Sequence, residues 1–370
     1  MRASNILNLG VKELRGLLRD PMLLILIVYS FTVAIYTAAS AMPETLNKAP
    51  IAIVDEDRSP LSARIAGAFQ LPYFTRPQFI TAAEMDRRMD AGLDTFALDI
   101  PPNFQRDLLA DRSPTIQLNV DATRMTQAFS GSGYIGSIVT SEVSEFSQRY
   151  RAESTAPVDL VLRARFNPEL NKAWFGAVMN VINSVTMLSI ILTGAALIRE
   201  REHGTIEHLL VMPITPAEIM ISKIWSMALV VLVATAVSLI FVVQGLLRVP
   251  IEGSVPLFLA GAALHLFATT SLGIVLATLA GSMPQFGLLL MLVLLPLQVL
   301  SGGMTPRESM PDVVQAIMLA APNTHFVMLA QAILYRGAGF SVVWPQFLAL
   351  AAIGSVLFVF ALGRFRRSLK

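Results

Sequence analysis

The chain has 370 residues, 54% of them hydrophobic and only 15% charged, with a formal net charge of +2 and no cysteine. A mean hydropathy of +0.61 in a chain of this length predicts a membrane bundle with enough sequence left for a separate polar unit. The near-neutral charge gives no reason to expect a nucleic-acid partner, and the missing thiols exclude disulfides, zinc–thiolate sites and cysteine nucleophiles.

Residues 4–19 predict an amphipathic helix. Leu7, Val11, Leu14 and Leu18 form one stripe, with Lys12, Arg15 and Arg19 on the other side. Such a helix lies in the membrane interface with its cations near anionic headgroups. Asp20-Pro21 then caps and starts a first span over 21–41. A signal peptide is the rival reading, because Ala39-Ser40-Ala41 mimics a cleavage site. The apolar run is longer than a signal core and a long amphipathic helix precedes it, which favours an uncleaved span.

Residues 42–173 form the one large polar segment, and extended runs alternate with helical ones. Strands are predicted over 50–54, 77–80, 96–100, 116–120 and 158–166. Helices are predicted over 62–70, from the Thr81–Glu84 capping box to about Gly92, over 103–110, and over 124–151 despite Gly131, Gly133 and Gly136. This is an α/β domain inserted between the first and second spans. Asp55-Glu56-Asp57 has no matching ligand spacing nearby and reads as a polar turn before Ser59-Pro60 rather than a metal site.

Five further stretches are long and apolar enough to be spans: 175–198, 224–247, 256–280, 286–300 and 344–363. The fifth of the six is short; Pro284 can start it early and Pro296 kinks it. Arg2, Lys12, Arg15 and Arg19 precede the first span, Arg199, Arg201 and Lys223 lie between the second and third, and Arg364, Arg366, Arg367 and Lys370 follow the last. With six spans all three groups fall on one side, predicted cytoplasmic with both termini, and residues 42–173 lie outside it. Asn180, Asn183 and Met187 share one face of the second span, His265 sits in the middle of the fourth, Gln244 lies near the end of the third and Gln298 is beside Pro296. Intramembrane polar groups line pathways or join helices; joining is favoured for the amides, and a hydrogen-bonded neutral imidazole for His265, with no carboxylate in the spans to act as its proton partner.

The connection over 199–218 carries the densest signal. Arg199, Glu200, Arg201 and Glu202 follow the apolar run at once. Gly204-Thr205 can open a helix of about two turns that ends at Pro213, with Ile206, Leu209 and Leu210 on one face and Glu207 near its positive end. Thr215, Pro216 and Glu218 form a capping box for the next helix, with Lys223 just inside it. After the fifth span, Gly302, Gly303, Pro306, Pro311 and Pro322 interrupt a stretch too apolar for an ordinary loop. Residues 302–325 therefore predict a re-entrant hairpin at the outer face, tolerable only where it is packed in protein.

The run from Arg199 to Glu218, with its Glu-Arg-Glu-x-Gly-Thr and spaced prolines, resembles the signature of ABC-2 type transporter permeases. Asn167-Pro168-Glu169 with Trp174-Phe175 is similar to that family's entry to the second span, although Gly176-Ala177-Val178 stands where the family often has Val-Pro-Gly. The resemblance implies a membrane α-helical bundle of the ABC-2, type V exporter kind, with a periplasmic α/β domain and an outer re-entrant gate at 302–325. It implies that Arg199, Glu200, Arg201, Glu202, Gly204, Thr205, Glu207, Leu209, Leu210, Pro213, Pro216, Glu218 and Lys223 belong to a cytoplasmic coupling segment that docks on a separate ATPase. It further implies a dimer of permeases, a periplasmic membrane-fusion adaptor, a bacterial inner-membrane location and export of small amphipathic or drug-like compounds.

The chain has no Gly-x-x-x-x-Gly-Lys-Ser/Thr phosphate loop, so ATP and Mg would be used by the partner, and no catalytic constellation or metal site is expected. An ion-gradient-driven transporter would show inverted repeats and intramembrane carboxylates, and no Asp or Glu lies inside the predicted spans. A membrane-anchored periplasmic sensor or scaffold would leave the connection at 199–218 unexplained. Asn180, Asn183, His265 and Gln298 remain the candidates for a substrate pathway.

Overall fold

The computed structural model describes residues 3–41, 46, 48–121, 125–150, 172–202, 204, 214–303 and 307–368. The chain divides into two compact units, Pro43–Arg163 and the pair of segments Met1–Met42 with Ala164–Lys370.

The second unit is helical. α1 is Ala3–Leu18, followed by α2 (Pro21–Phe31) and α3 (Val33–Ala41), which together make the first span. These two helices are separated at Thr32. A break inside lipid leaves carbonyls without intrahelical partners, and other helices must supply them. Ser184 Oγ donates to Ser30 O at 3.2 Å and Ser238 Oγ donates to Phe31 O at 2.7 Å. The broken first span is thereby fastened to the second and third.

The first unit follows the α/β pattern. β1 (Ile51–Asp55), β2 (Gln78–Phe79), β3 (Phe96–Ile100) and β4 (Gln117–Val120) form one sheet in the order β2-β1-β3-β4. β1 pairs in parallel with both neighbours, and β4 is antiparallel to β3. Parallel neighbours need crossovers. α4 (Pro60–Gly67) supplies one and α5 (Ala82–Asp90) the other. Ile51 to Val54 are all buried, as a strand covered on both faces requires. α6 (Phe104–Leu109) follows β3, and α7 (Met125–Tyr150) packs on α4, where Arg64 meets Glu142 at 2.8 Å. Asp55 and Asp57 accept hydrogen bonds from Arg58 N, Ser62 Oγ and Gln105 N, so the acidic run serves as a capped turn. The strand predicted over 158–166 and the Asn167-Pro168-Glu169 entry lie outside the described residues.

The helical unit continues with α8 (Lys172–Glu202) and α9 (Pro216–Val237), the latter prolonged by a π-helical stretch, Ser238–Leu246. α10 (Val255–Leu279), α11 (Met283–Val299), α12 (Asp312–Met318), α13 (Pro322–Ala330) and α14 (Phe340–Ser368) follow. α8 and α10 pack against each other and form much of the core, while α14 is exposed along most of its apolar length.

Among the described residues five helices are long and apolar enough to cross a membrane, or six if one bent pair counts as a single span. The predicted span over 286–300 is not among the five. It is α11, a helix of 17 residues with Pro296 inside it. At about 1.5 Å per residue it reaches roughly 25 Å, short of the ~30 Å hydrocarbon core. The bent pair is α12 with the α13 helix that runs on to Tyr335, and its arms meet at 91°. The expectation that residues 302–325 are packed throughout in protein fails for α12, where Val313 is 70% and Ile317 65% exposed. α12 buries Met318 alone, whereas α13 buries most of its residues, including Phe326, Val327 and Leu329.

One other boundary differs from the apolar run read in the sequence. α8 does not stop at Ile198 but carries Arg199 to Glu202 as its last turn. α9 starts at Pro216, where the capping box predicts it, so Lys223 lies two turns inside a helix. Apolar composition marks where lipid begins, whereas a helix ends only where a cap or a special backbone stops it.

Candidate functional site

The last turn of α8 is where most elements of the helical unit meet. Four consecutive helical residues point in four directions, about 100° apart. Each of Arg199, Glu200, Arg201 and Glu202 finds a different partner. Arg199 Nη1 contacts Asp20 Oδ2 at 2.6 Å, and Asp20 also caps α2 by accepting from Leu23 N. Glu200 lies 3.2 Å from Lys12 of α1 and 2.8 Å from Lys223 of α9. Arg201 Nη1 donates to the carbonyl of Ala280, the residue that ends α10, and Met283 N at the start of α11 donates to Glu202. The alternating charges thus fasten the ends of α2, α10 and α11, and the bodies of α1 and α9, to one helical turn.

Lys223 is the centre of this junction. Only 1% of it is exposed, and its ammonium also contacts Glu13 of α1 at 3.0 Å. A buried ammonium is stable only when paired, and two carboxylates surround this one. Burial pushes the Glu13 carboxyl up; Lys223 draws it back part of the way, and the neighbouring Glu200 adds to the rise.

α1 reaches the junction by a face the sequence reading did not select. The predicted stripe of Leu7, Val11, Leu14 and Leu18 leaves Leu7, Val11 and Leu18 exposed, as a lipid-facing stripe would be. Gly10, Glu13 and Leu17 face α9 instead. Gly10 is needed there, because a side-chain carbon at that position would come within 2.1 Å of the Trp225 ring, whose Nε1 donates to Ile6 O. The signal was available: a glycine and a carboxylate in step with Ile6 and Leu17 mark a second contact stripe.

Beyond the junction, Gly204 takes a left-handed φ of +68° and its N–H donates to Arg201 O. It therefore terminates α8, and the helix predicted from Gly204-Thr205 to Pro213 lies outside the described residues. Thr205, Glu207, Leu209, Leu210 and Pro213 lie outside the described residues. The capping box after them is present: Thr215 N donates to Glu218 Oε2 at 2.7 Å, Glu218 N donates to the Thr215 hydroxyl, and Pro216 occupies the first turn.

The intramembrane polar residues separate into two groups. Asn180, Asn183 and Met187 lie on the one side of α8 that is only half-buried, and Asn180 Nδ2 donates back to Gly176 O. Gln298 is half-buried beside Pro296, and Gln244 is exposed. His265 is fully buried, stacked on Phe326 with ring centres 4.1 Å apart. Thr186 Oγ1 donates to Asn323 Oδ1 at 2.7 Å and lies 2.9 Å from His265 Nε2. Asn323 Nδ2 reaches the Leu297 carbonyl in the last turn of α11 at 2.7 Å. Four helices, α8, α10, α11 and α13, are joined by this chain. Thr186 and Asn323 were not selected from sequence. Hydroxyl residues three and four apart at Thr186, Ser189 and Thr193 were the available sign of it.

At the other end of α8, Gly302 has a φ of +90° and Gly303 lies against Met179. Pro311 precedes α12 and Pro322 opens α13, while Pro306 lies outside the described residues.

Comparison with known proteins is consistent with this arrangement. A family model described as ABC-2 family transporter protein matches residues 21–362. The inner membrane transport permease YhhJ of Escherichia coli (strain K12) is 64% identical over 365 residues, 99% of this chain and 98% of that protein. Two probable multidrug ABC transporter permeases of the same organism, YbhR and YbhS, are each 26% identical, over 96% and 89% of this chain and 96% and 88% of their own lengths.

Proposed function

The chain belongs to the ABC-2 family of transporter proteins, and from this premise we propose that it is the permease subunit of an exporter driven by a separate ATPase through residues 199–218. The observation that carries the reading is the charged turn at Arg199–Glu202. A segment that receives force from a partner needs a rigid attachment to the spans, and this turn is tied to the ends of α2, α10 and α11, to Lys12 of α1 and to Lys223 of α9. The capping box at Thr215 and Glu218 gives the connection an equally fixed exit.

In this reading the permease acts as a dimer, with the half-buried side of α8 bearing Asn180, Asn183 and Met187 turned to the second copy or to the pathway between the two. A periplasmic adaptor completes the route outward, and small amphipathic compounds are its cargo. An ion-gradient mechanism is disfavoured because the buried carboxylates Glu200 and Glu218 sit at helix ends rather than mid-membrane. Purification of the full chain from its own membranes in mild detergent is expected to bring with it an ATPase carrying a phosphate loop. Recovery of the intact permease free of any nucleotide-binding protein, under conditions that preserve other such complexes, would falsify the assignment.

The placement of basic residues near Lys12, Arg199 and Arg367 motivates a cytoplasmic location for both termini and a periplasmic one for the α/β unit. The chain contains no cysteine, so single thiols report without background. Ser113→Cys is expected to react with a membrane-impermeant thiol reagent in cells with a permeabilised outer membrane, and Ser368→Cys to be protected until the inner membrane is opened. The reverse pattern would mean an inverted topology.

A further inference from the structure

The end of the helical unit opposite the charged turn contains a cavity of about 530 Å³, a size typical of small-molecule sites. α13, its π-helical continuation, α14 and the glycine turn after α11 enclose it. One wall is apolar, formed by Phe175, Val327 and Val343. The other carries two guanidinium groups, Arg307 and Arg336, and the amides of Gln331 and Gln346, with no carboxylate among the described residues of the lining. Among the described residues neither arginine has an ion-pair partner.

Two polar atoms of this lining are buried without a hydrogen bond: Arg307 Nε, a donor, and Gln346 Oε1, an acceptor. Leaving such groups unpaired is costly, and native proteins rarely do so without a reason. Arg307 is held in place all the same. Its Nη1 contacts Met328 Sδ at 3.3 Å, and the left-handed Gly302 curves around its stem, where a side-chain carbon would lie 3.0 Å from Arg307 Cγ. A cation positioned by apolar and sulfur contacts, with a donor left over, is arranged to receive an anion from outside the chain. The planar fork of arginine matches the oxygens of a phosphate or carboxylate.

We propose that this cavity binds the anionic head of an amphiphile, a phosphate or carboxylate held by Arg307 and Arg336 with its apolar body against Phe175, Val327 and Val343. Gln346 takes a hydroxyl or ammonium hydrogen of the same head. Binding here needs neither a partner ATPase nor a transport cycle, so the inference stands or falls separately from the function proposed above. The ligand is either a membrane phospholipid or an acidic amphiphile arriving from the aqueous phase.

The test uses the full chain in a neutral maltoside detergent, with dodecyl phosphate as probe and dodecanol as its uncharged counterpart. Dodecyl phosphate is expected to bind saturably and dodecanol not. Arg307→Gln and Arg336→Gln are each expected to weaken binding at least tenfold, with partial recovery in Arg307→Lys. Arg336 is exposed, so its replacement does not disturb packing. Native mass spectrometry then separates the sources. Co-purified phosphatidylglycerol that disappears in the arginine variants identifies lipid, and dodecyl phosphate binding to a lipid-free protein identifies a soluble amphiphile. Non-saturable uptake, or equal affinity in wild type and both glutamine variants, would overturn the proposal.

Discussion

A Lys223→Met variant is expected to lose about 3–5 kcal/mol of stability, the usual consequence of removing one member of a buried charge cluster. Methionine keeps the apolar stem, so the loss reads the charge rather than a cavity. Without the ammonium, Glu13 and Glu200 are left without their shared buried cation, since Lys12 reaches only Glu200 and is itself half exposed. Thermal unfolding in detergent and the amount of protein in the membrane should both fall. The triple replacement Glu13→Gln, Glu200→Gln, Lys223→Met removes all three charges and is expected to recover most of the loss, because neutral groups of similar size can replace a buried ionic cluster at little cost. A Lys223→Met protein as stable as wild type would show that the cluster contributes nothing, and a triple variant no better than the single one would show that the loss does not come from carboxylates left unpaired.

The same proteins carry a pH signature. The Glu13 carboxyl is raised above its ordinary value of 4.5, with burial as the largest cause. A carboxyl raised on folding favours the folded state most when protonated. That contribution is complete below the ordinary value and is lost as pH rises through the raised one. Glu13→Gln abolishes the titration, so the stability difference between wild type and this variant should shift in favour of the variant as pH increases from 4.5 toward neutrality. A difference that does not change with pH would place Glu13 in a more solvated position than the one described.

Much of the fold could be read from the chain because local signals acted alone. β3 falls on its predicted residues 96–100, and the capping boxes at Thr81 and Thr215 are both formed. In each case the deciding interaction lies within a few residues of sequence. The misread end of α8 involves distant partners. α8 continues through four charged residues because Asp20, Lys12, Lys223, Ala280 and Met283 supply counter-charges and hydrogen bonds from as far as 188 residues away. Hydropathy cannot foresee such partners, and it treats a charged turn as the end of a span.

The candidate site was legible in part for the same reason. The residues Arg199 to Glu202 and Lys223 stood out as charges beside apolar runs, and the structure brings Glu200 and Lys223 into contact. The contribution of α1 was hidden because its second face is small and mixed: Gly10 marks a close approach and Glu13 a buried acid, and neither contributes to a hydrophobic stripe. The chain linking His265, Thr186 and Asn323 was hidden because threonine and asparagine in a span are uninformative until a partner from another helix is known.

The double variant Leu209→Ala, Leu210→Ala is expected to uncouple the permease from its ATPase while leaving folding and insertion intact. Both flanks of the intervening segment are fixed: Gly204 turns the chain at the end of α8, and the Thr215–Glu218 box holds the start of α9. On the helix predicted there, Ile206, Leu209 and Leu210 share one face, and adjacent leucines on an exposed rigid helix are suited to fill an apolar cleft of a partner. If they are the centre of that contact, truncating both should weaken the complex by about 2 kcal/mol or more, roughly 30-fold in affinity. Membrane level and thermal stability should be unchanged, because neither leucine belongs to a predicted span. Co-purified ATPase, transport, and substrate-stimulated ATP hydrolysis in the reconstituted complex should fall together. Loss of transport with full ATPase association would move the docking contact elsewhere, and full retention of both would reduce this connection to an anchor for the ends of α8 and α9.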